Sequence, residues 1–583
     1  MLPKLPSQDD DPTRQEQLFQ TQLRYRYVYD WPPGVATAVK LYEGDEYGLE
    51  YTARSLPIYA SIAENTAEHA ADSLFGHDPL KAIKDIFNAL KPAEFRSQFF
   101  DLSGDISKGV STRRPERWQE YEDIFQTWEK PPIVRFYSGP LAELNRAFAW
   151  QRLAGANPMV LFRVSRLPDN LPVTPAIFAQ VMGGGDTLDA AFGEGRVYLA
   201  DYQVLSGVIS GKTNGLQKYV SAPMALFAVE RGSGVLRPVA IQCGQTPGKA
   251  FPLFTPNDGW HWRMAMAQVQ VADAATHEGV FHLGRTHLVI EAVLLAAKRQ
   301  LAEAHPLSVL LTPHFDHTLA INDSAKFSLT APDGTVDHCF GPRIDQFGGL
   351  VHKAIQTLSW QNLDPNLELQ SREVDDVESL PVYPYRDDAL PVWAAIKGWV
   401  SDYVRTYYAS PHDVRGDEEL QAFAREISSP DGGRIPGVPV PDTVEDVIEL
   451  VTRIVFTASA QHSAVNFSQF PFMSMVVNMP GASYTPPPTK DTPNDEAAYT
   501  AMMPPMKSVS EGVNMVYLLS SLRMSELGHY PLTQFKDPRI LAALVRFRSA
   551  LSEVEDANER RDKKRFISYP YLRPSLILQS ISI

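Results

Sequence analysis

Residues 260 to 314 read WHWRMAMAQVQVADAATHEGVFHLGRTHLVIEAVLLAAKRQLAEAHPLSVLLTPH. Alanine, leucine, valine and methionine dominate this stretch in the manner of a long buried helix. It nevertheless carries His261, His277, His282, His287, His305 and His314. Imidazoles buried in an apolar helix need partners, and a metal ion is one such partner. His277, His282 and His287 follow one another at intervals of five. In a regular α-helix that step turns the side chain by about 140°, so the three would diverge. In a π-helix it returns them nearly to one face, and short π segments gather at functional sites. The spacing therefore predicts a π distortion between about His277 and His287.

A second helix is needed to complete a metal site. Residues 454 to 472, IVFTASAQHSAVNFSQFPF, offer His462 and Asn466 four apart on one face. The C-terminal residues LILQSISI are apolar, where termini are ordinarily polar and frayed. A buried carboxylate there would need a cation to receive it.

These three segments together resemble the lipoxygenase family of non-haem iron dioxygenases. The resemblance extends to LFAVERGSGVLRPVAIQ (226 to 242), NDSAKFSLTAPDG (322 to 334) and YPYRDDALPVWAAIKGWVSDYVRTYY (383 to 408), and covers roughly residues 130 to 583. It implies a mainly α fold, a large helical catalytic domain with small peripheral antiparallel β-sheets. It implies iron ligands at His282, His287, His462, Asn466 and the carboxylate of Ile583. Imidazole and oxygen donors suit iron cycling between ferrous and ferric, and they would also accept manganese. The family's manganese members are mainly secreted, and no signal peptide is visible here, so one iron per chain is expected. A metal-bound hydroxide would take the hydrogen, so no side chain is expected to act as a general base.

Around the ligands, the resemblance places His277, Gln469 and Glu278 near the metal, with Gln469 and Glu278 in a hydrogen-bond network between the Asn ligand and the substrate cavity. Asp273, one turn before His277, could orient that ring. Ala325 falls where the family carries alanine or glycine, and alanine there implies an S hydroperoxide. Leu329 and Val336 fall on positions that clamp the substrate, or are ordinary core. Cys339 and Phe340 fall on a pair that sets pocket depth. Met479 stands where plant enzymes often place an arginine, so carboxylate-first binding lacks a counter-ion. Phe340 and Met479 together favour carbon 13 of linoleate, or the omega-6 position of longer acids. The expected partners are a polyunsaturated fatty acid and O2. Contact with phospholipid or a membrane surface is compatible with this, and the chain is expected to be a monomer. A lipid hydroperoxide isomerase on the same site and a non-catalytic lipid-binding protein are the alternatives.

The remainder of the sequence fits this frame. In 583 residues, 44% hydrophobic and 21% charged, a net charge of −15 argues against nucleic acid. The two cysteines, Cys243 and Cys339, make no disulfide framework. No signal peptide and no run suited to spanning a membrane is apparent, so a cytoplasmic location is expected. Residues 1 to 15, with Asp9 to Asp11 and flanking prolines, are expected to be disordered. Residues 16 to 130 form a helical extension, too short and too helical for the N-terminal β-barrel of animal and plant forms, and residues 131 to 583 the catalytic domain, both packed as one unit. Within the extension, Ser61 to Leu90 reads as two amphipathic helices broken at Gly76 and Pro79, a lid or simply a cover for the core. Residues 192 to 245 alternate as strands, with Gly232 to Gly234 turning a hairpin. The GGG at 183 to 185 lacks the rest of a phosphate-loop pattern and reads as a turn.

Overall fold

The apolar stretch that begins at Trp260 becomes, in the computed structural model, one continuous helical column of 41 residues, Trp260–Gln300. The structure describes residues 2–69 and 99–583. The column is long and apolar enough to cross a membrane, but it is buried within the protein and serves as the core helix. It runs as α-helix over Trp260–Thr276, as π-helix over His277–Leu288 and as α-helix again over Val289–Gln300. The predicted π distortion is therefore present and spans the three histidines.

Amphipathic helices pack around this column because each has one apolar stripe to bury. Ile344–Gln356 lies along the π segment, and Glu418–Ser428 lies along Val289–Gln300. Pro384–Tyr407 packs on Val444–Phe456 and on Leu541–Asp562. Val444–Phe456 starts at a capping box in which the Thr443 hydroxyl accepts from the Asp446 amide at 3.2 Å. It continues as π-helix over Thr457–Gln461 and then as α-helix over His462–Asn466.

The predicted strands form a five-stranded antiparallel meander at the side of the helical body. Its strands, β1 (Leu161–Arg163), β2 (Val197–Asp201), β3 (Met224–Val229), β4 (Leu236–Gln242) and β5 (Leu253–Phe254), lie in sequence order. Gly232 and Gly234 turn the β3–β4 hairpin at positive φ. Pro238 sits in β4, where the register with β3 shifts at Leu226 and Phe227, a bulge that accommodates a residue with no amide to donate. The GGG at 183 to 185 begins at the C-cap of the helix Pro175–Met182, with Gly183 at φ 99°, and so makes a turn.

Residues 2 to 15 depart from the expected disorder. Leu5 is buried, and the Lys4 amide donates to the Ala304 carbonyl at 2.9 Å. Arg14 pairs with Asp9 at 2.7 Å and with Glu419 at 2.6 Å. Composition misleads here because an acidic run reads as solvated charge, whereas Asp9 has a buried arginine to neutralise. Before residue 131 the described strands are only Tyr27–Val28 and Thr37–Ala38, and Leu49–His69 is a helix, so no β-barrel forms among the described residues. This part shares one hydrophobic core with the rest, and Trp128 stacks on Tyr517 with ring centroids 4.0 Å apart. Most of the expected helix pair at Ser61 to Leu90 lies outside the described residues.

Candidate metal centre

A π turn needs a close neighbour to hold it, and two glycines provide the approach. A methyl group at Gly279 would meet Leu350 Cδ2 at 2.9 Å. One at Gly284 would meet the Gly279 carbonyl at 2.9 Å and Ala354 Cβ at 3.0 Å. The π segment is thus pressed against Ile344–Gln356 on one side while its histidines face the other. His277, His282 and His287 follow one another with ring centroids 5.6 and 4.8 Å apart, the near-superposition that a five-residue step predicts for a π-helix.

His462 completes the cluster from the second helix. His287 Nε2 lies 3.2 Å from His282 Nε2 and 3.2 Å from His462 Nε2. One donor nitrogen from each ring falls within 4.8 Å of the others. The opposite ring edges explain why these nitrogens carry lone pairs. His282 Nδ1 is 2.9 Å from Glu278 Oε2, and His287 Nδ1 is 2.7 Å from Asn322 Oδ1. The Asn322 amide is oriented by its own donations to the His287 carbonyl at 3.2 Å and to Glu291 at 2.8 Å, so its oxygen faces the ring. Both Nδ1 atoms therefore bear the proton. Burial pushes His282 and His287 down to about 3 and His462 well below the ordinary value, so all three are neutral. Three buried lone pairs directed at one another repel, and a cation between them removes the repulsion. Burial also raises the Glu278 carboxyl; a positive ion at the nitrogens would counter that by favouring the nearby ionised carboxylate and making His282 Nδ1–H a stronger donor to it.

Asn466 and Ile583 border the same point. Asn466 lies beside His282, donates through Nδ2 to the Leu519 carbonyl at 2.7 Å, and accepts at Oδ1 from Gln469 Nε2 at 3.0 Å. Ile583 is fully buried, with its main-chain oxygen against His462. The tail reaches it through fixed contacts. Ser463 Oγ accepts from the Leu578 amide at 3.1 Å, His314 Nδ1 donates to the Gln579 carbonyl at 2.8 Å, and Tyr51 donates to the Ser582 carbonyl at 2.9 Å. His305 caps the following helix and pairs with Asp417 at 2.9 Å. A donor set of neutral imidazoles and oxygens, with Cys243 and Cys339 outside it, fits a non-haem metal.

The other expected residues divide. His277 donates through Nε2 to the Val465 carbonyl at 2.9 Å and stays outside the cluster. Glu278 and Gln469 each touch a residue of the donor set, with Glu278 Oε1 and Gln469 Oε1 left without a hydrogen-bond partner among the described residues. Asp273 does not orient His277. It pairs with Arg152 at 2.9 Å and accepts from Tyr202 and Asn157, each at 2.9 Å. A fully buried guanidinium requires a counter-ion more than a neutral imidazole requires an acceptor. Asn322 and Glu291 were not singled out from the sequence; their signal was a polar pair at the edge of otherwise apolar helices.

An apolar cavity of about 470 Å3 adjoins the cluster, lined by His282, His287, Ile321, Ala325, Leu329, Val336, Leu519 and Ile583. Ala325–Leu329 is itself a π segment. Cys339, Phe340 and Met479 line a neighbouring cavity of about 450 Å3, and Met515 belongs to the walls of both.

Residues 57–568 match the family model described as Lipoxygenase. The chain is 40% identical over 508 residues to a linoleate 9/13-lipoxygenase of Pseudomonas aeruginosa, covering 83% of this chain and 73% of that protein. It is 37% identical over 514 residues to the polyunsaturated fatty acid lipoxygenase ALOX15B of Rattus norvegicus, covering 85% and 74%. Its fold matches the anaerobic crystal structure of a Δ413–417:GS lipoxygenase in complex with arachidonate at a TM-score of 0.86 and 28% identity, over 100% of this chain and 84% of that one. With three buried imidazoles converging beside an apolar cavity, and with this agreement over most of its length, the chain belongs to the lipoxygenase family.

Proposed function

We propose that this lipoxygenase is a non-haem iron dioxygenase of linoleate-type polyunsaturated fatty acids that forms an S hydroperoxide at carbon 13, or at the omega-6 position of longer acids. The observation that carries the reading is the convergence of the His282, His287 and His462 Nε2 atoms at the wall of an apolar cavity. Iron held there by these residues with Asn466 and the Ile583 carboxylate would supply the one-electron chemistry that takes hydrogen from a bis-allylic carbon. The chain's own part is to bind, orient and exclude water. Ile321, Leu329 and Val336 flank the space where a pentadiene would lie beside the nitrogens. The Ala325 methyl occupies one flank of that space, which supports oxygen approach from a single side and an S product.

The regiochemistry rests on charge. Among the described residues no lysine or arginine lines either the cavity at the nitrogens or the one beyond Met515, and Met479 is buried in the latter. A carboxylate inserted first would lie there unpaired, whereas a methyl end would not. Methyl-first binding follows, with Phe340 and Met479 setting its depth.

The test adds linoleic acid to purified protein, follows the ultraviolet absorbance of a conjugated diene, and measures iron on the same sample. A diene with about one iron per chain supports the proposal. Iron without diene, with rearrangement of added lipid hydroperoxide under limited oxygen, would replace it by an isomerase. Ala325→Gly should raise the share of R product on chiral analysis, and unchanged stereochemistry would remove Ala325 from the oxygen path.

A further inference from the structure

Behind the metal centre, on the far side of the π segment from the apolar cavity, lies a cleft of about 810 Å3 that opens to solvent. Its walls include both π segments that lead into the histidine ligands. Phe281 and Arg285 come from His277–Leu288, and Thr457 and Gln461 from Thr457–Gln461. Three donors in it lack a good acceptor among the described residues. Arg285 Nε is out of contact with water and has no partner. Thr457 is 1% exposed and its hydroxyl has no partner, although the nearby Thr452 and Ser459 each donate to the carbonyl four residues earlier at 2.6 Å. Gln461 Nε2 donates only to the Met159 sulfur at 3.1 Å, a weak acceptor.

The charge balance points the same way. The cleft holds Arg285, Arg372 and Glu368, and both Glu368 oxygens are engaged by Arg372, at 2.5 and 2.7 Å. Among the described residues of the cleft one positive charge is left over, on Arg285. Buried donors without acceptors cost free energy, and a carboxylate is an anion that a guanidinium and two further donors lining one cleft can receive. Phe281, whose ring centroid lies 5.1 Å from the Arg285 guanidinium carbon, and the side chains of Leu358 and Leu363 add apolar wall for an organic group.

We propose that this cleft is a second ligand site, distinct from the fatty-acid cavity, that binds a small organic monocarboxylate through Arg285 Nε, Thr457 Oγ1 and Gln461 Nε2. An occupant would touch both ligand-bearing segments at once and tie them together from behind.

The test uses the metal-loaded full chain and 4-bromobenzoate, whose bromine reports its position by anomalous diffraction. Calorimetric titration should give saturable binding, weakened about tenfold or more in Arg285→Gln and about threefold in Thr457→Val, the losses expected for a charge-assisted and a neutral hydrogen bond. The neutral 4-bromobenzyl alcohol should not bind saturably. A bromine peak between Phe281 and Leu358 supports the proposal. A peak only in the fatty-acid cavity, equal affinity in both variants, or equal binding of the alcohol overturns it. Thr457→Val removes one oxygen with almost no change of shape, so it reads the site even where Arg285→Gln perturbs folding.

Discussion

Asn322 shows how one side chain can set the protonation of a buried imidazole in the histidine cluster. Its oxygen accepts from His287 Nδ1 at 2.7 Å while its nitrogen donates to Glu291 at 2.8 Å, so neither end is free to rotate. Replacing it with leucine keeps the volume and removes the acceptor. Metal affinity of Asn322→Leu should fall roughly 10- to 100-fold, as for other partners of ligating histidines, read by competition with a chelator. Unchanged affinity would mean that packing alone orients His287. Glu291, behind it, is pushed up to about 7 by burial. Its folded value lies above the ordinary 4.5, so its stabilising contribution is full below that value and is lost as pH rises through about 7. Glu291→Gln carries no such loss. Relative to the wild type, the variant's urea midpoint should improve between about pH 5.5 and pH 8.5, and a constant difference would place the carboxyl elsewhere on the pH scale. At this scale the converging imidazoles were legible and their partners were not. His282 and His287 are marked by spacing within one helix, whereas Asn322 meets His287 across 35 residues of sequence.

The π segment His277–Leu288 was legible because three histidines five apart admit one geometry that brings them together. Thr457–Gln461 and Ala325–Leu329 were not, since TASAQ and AKFSL carry no residue whose placement demands an extra turn. Their cause is in the packing. All three π segments border the metal centre or its cavity, and an i to i+5 turn shifts the following residues so that His462, His287 and Leu329 face inward. Gly284 is where this arrangement is most exposed to test. A methyl there would press on a main-chain carbonyl of the same π turn and on Ala354, with no flexible side chain to yield. Gly284→Ala should cost about 1 to 3 kcal/mol of stability and reduce bound iron, measured by thermal unfolding and metal analysis. A variant with wild-type stability and full iron would show that the π turn relaxes without moving His282 or His287.

Over the whole molecule, residues from three distant parts of the chain meet at one point: the column at 277 to 288, the helix at 462 to 466, and Ile583. The apolar character of LILQSISI made its burial legible, but the means of holding it was not. Tyr51, from the N-terminal part, and His314, from the middle, each hold the tail by a single hydrogen bond to a carbonyl. Nor could the sequence separate the two apolar cavities, because Met515 stands between them through a helix that pairs with neither in sequence. This convergence makes removal of Ile583 a test of the assembly as a whole. The contacts of Leu578 with Ser463 and of Gln579 with His314 lie upstream of the deletion and should keep the tail in place. The new carboxylate on Ser582 would then stop one residue short, about 3.5 Å from where the oxygen is needed. The shortened protein should fold with unchanged helical circular dichroism yet lose most of its iron. If it retains about one iron per chain, the terminal carboxylate is not a ligand, and the three histidines with Asn466 suffice to hold the metal.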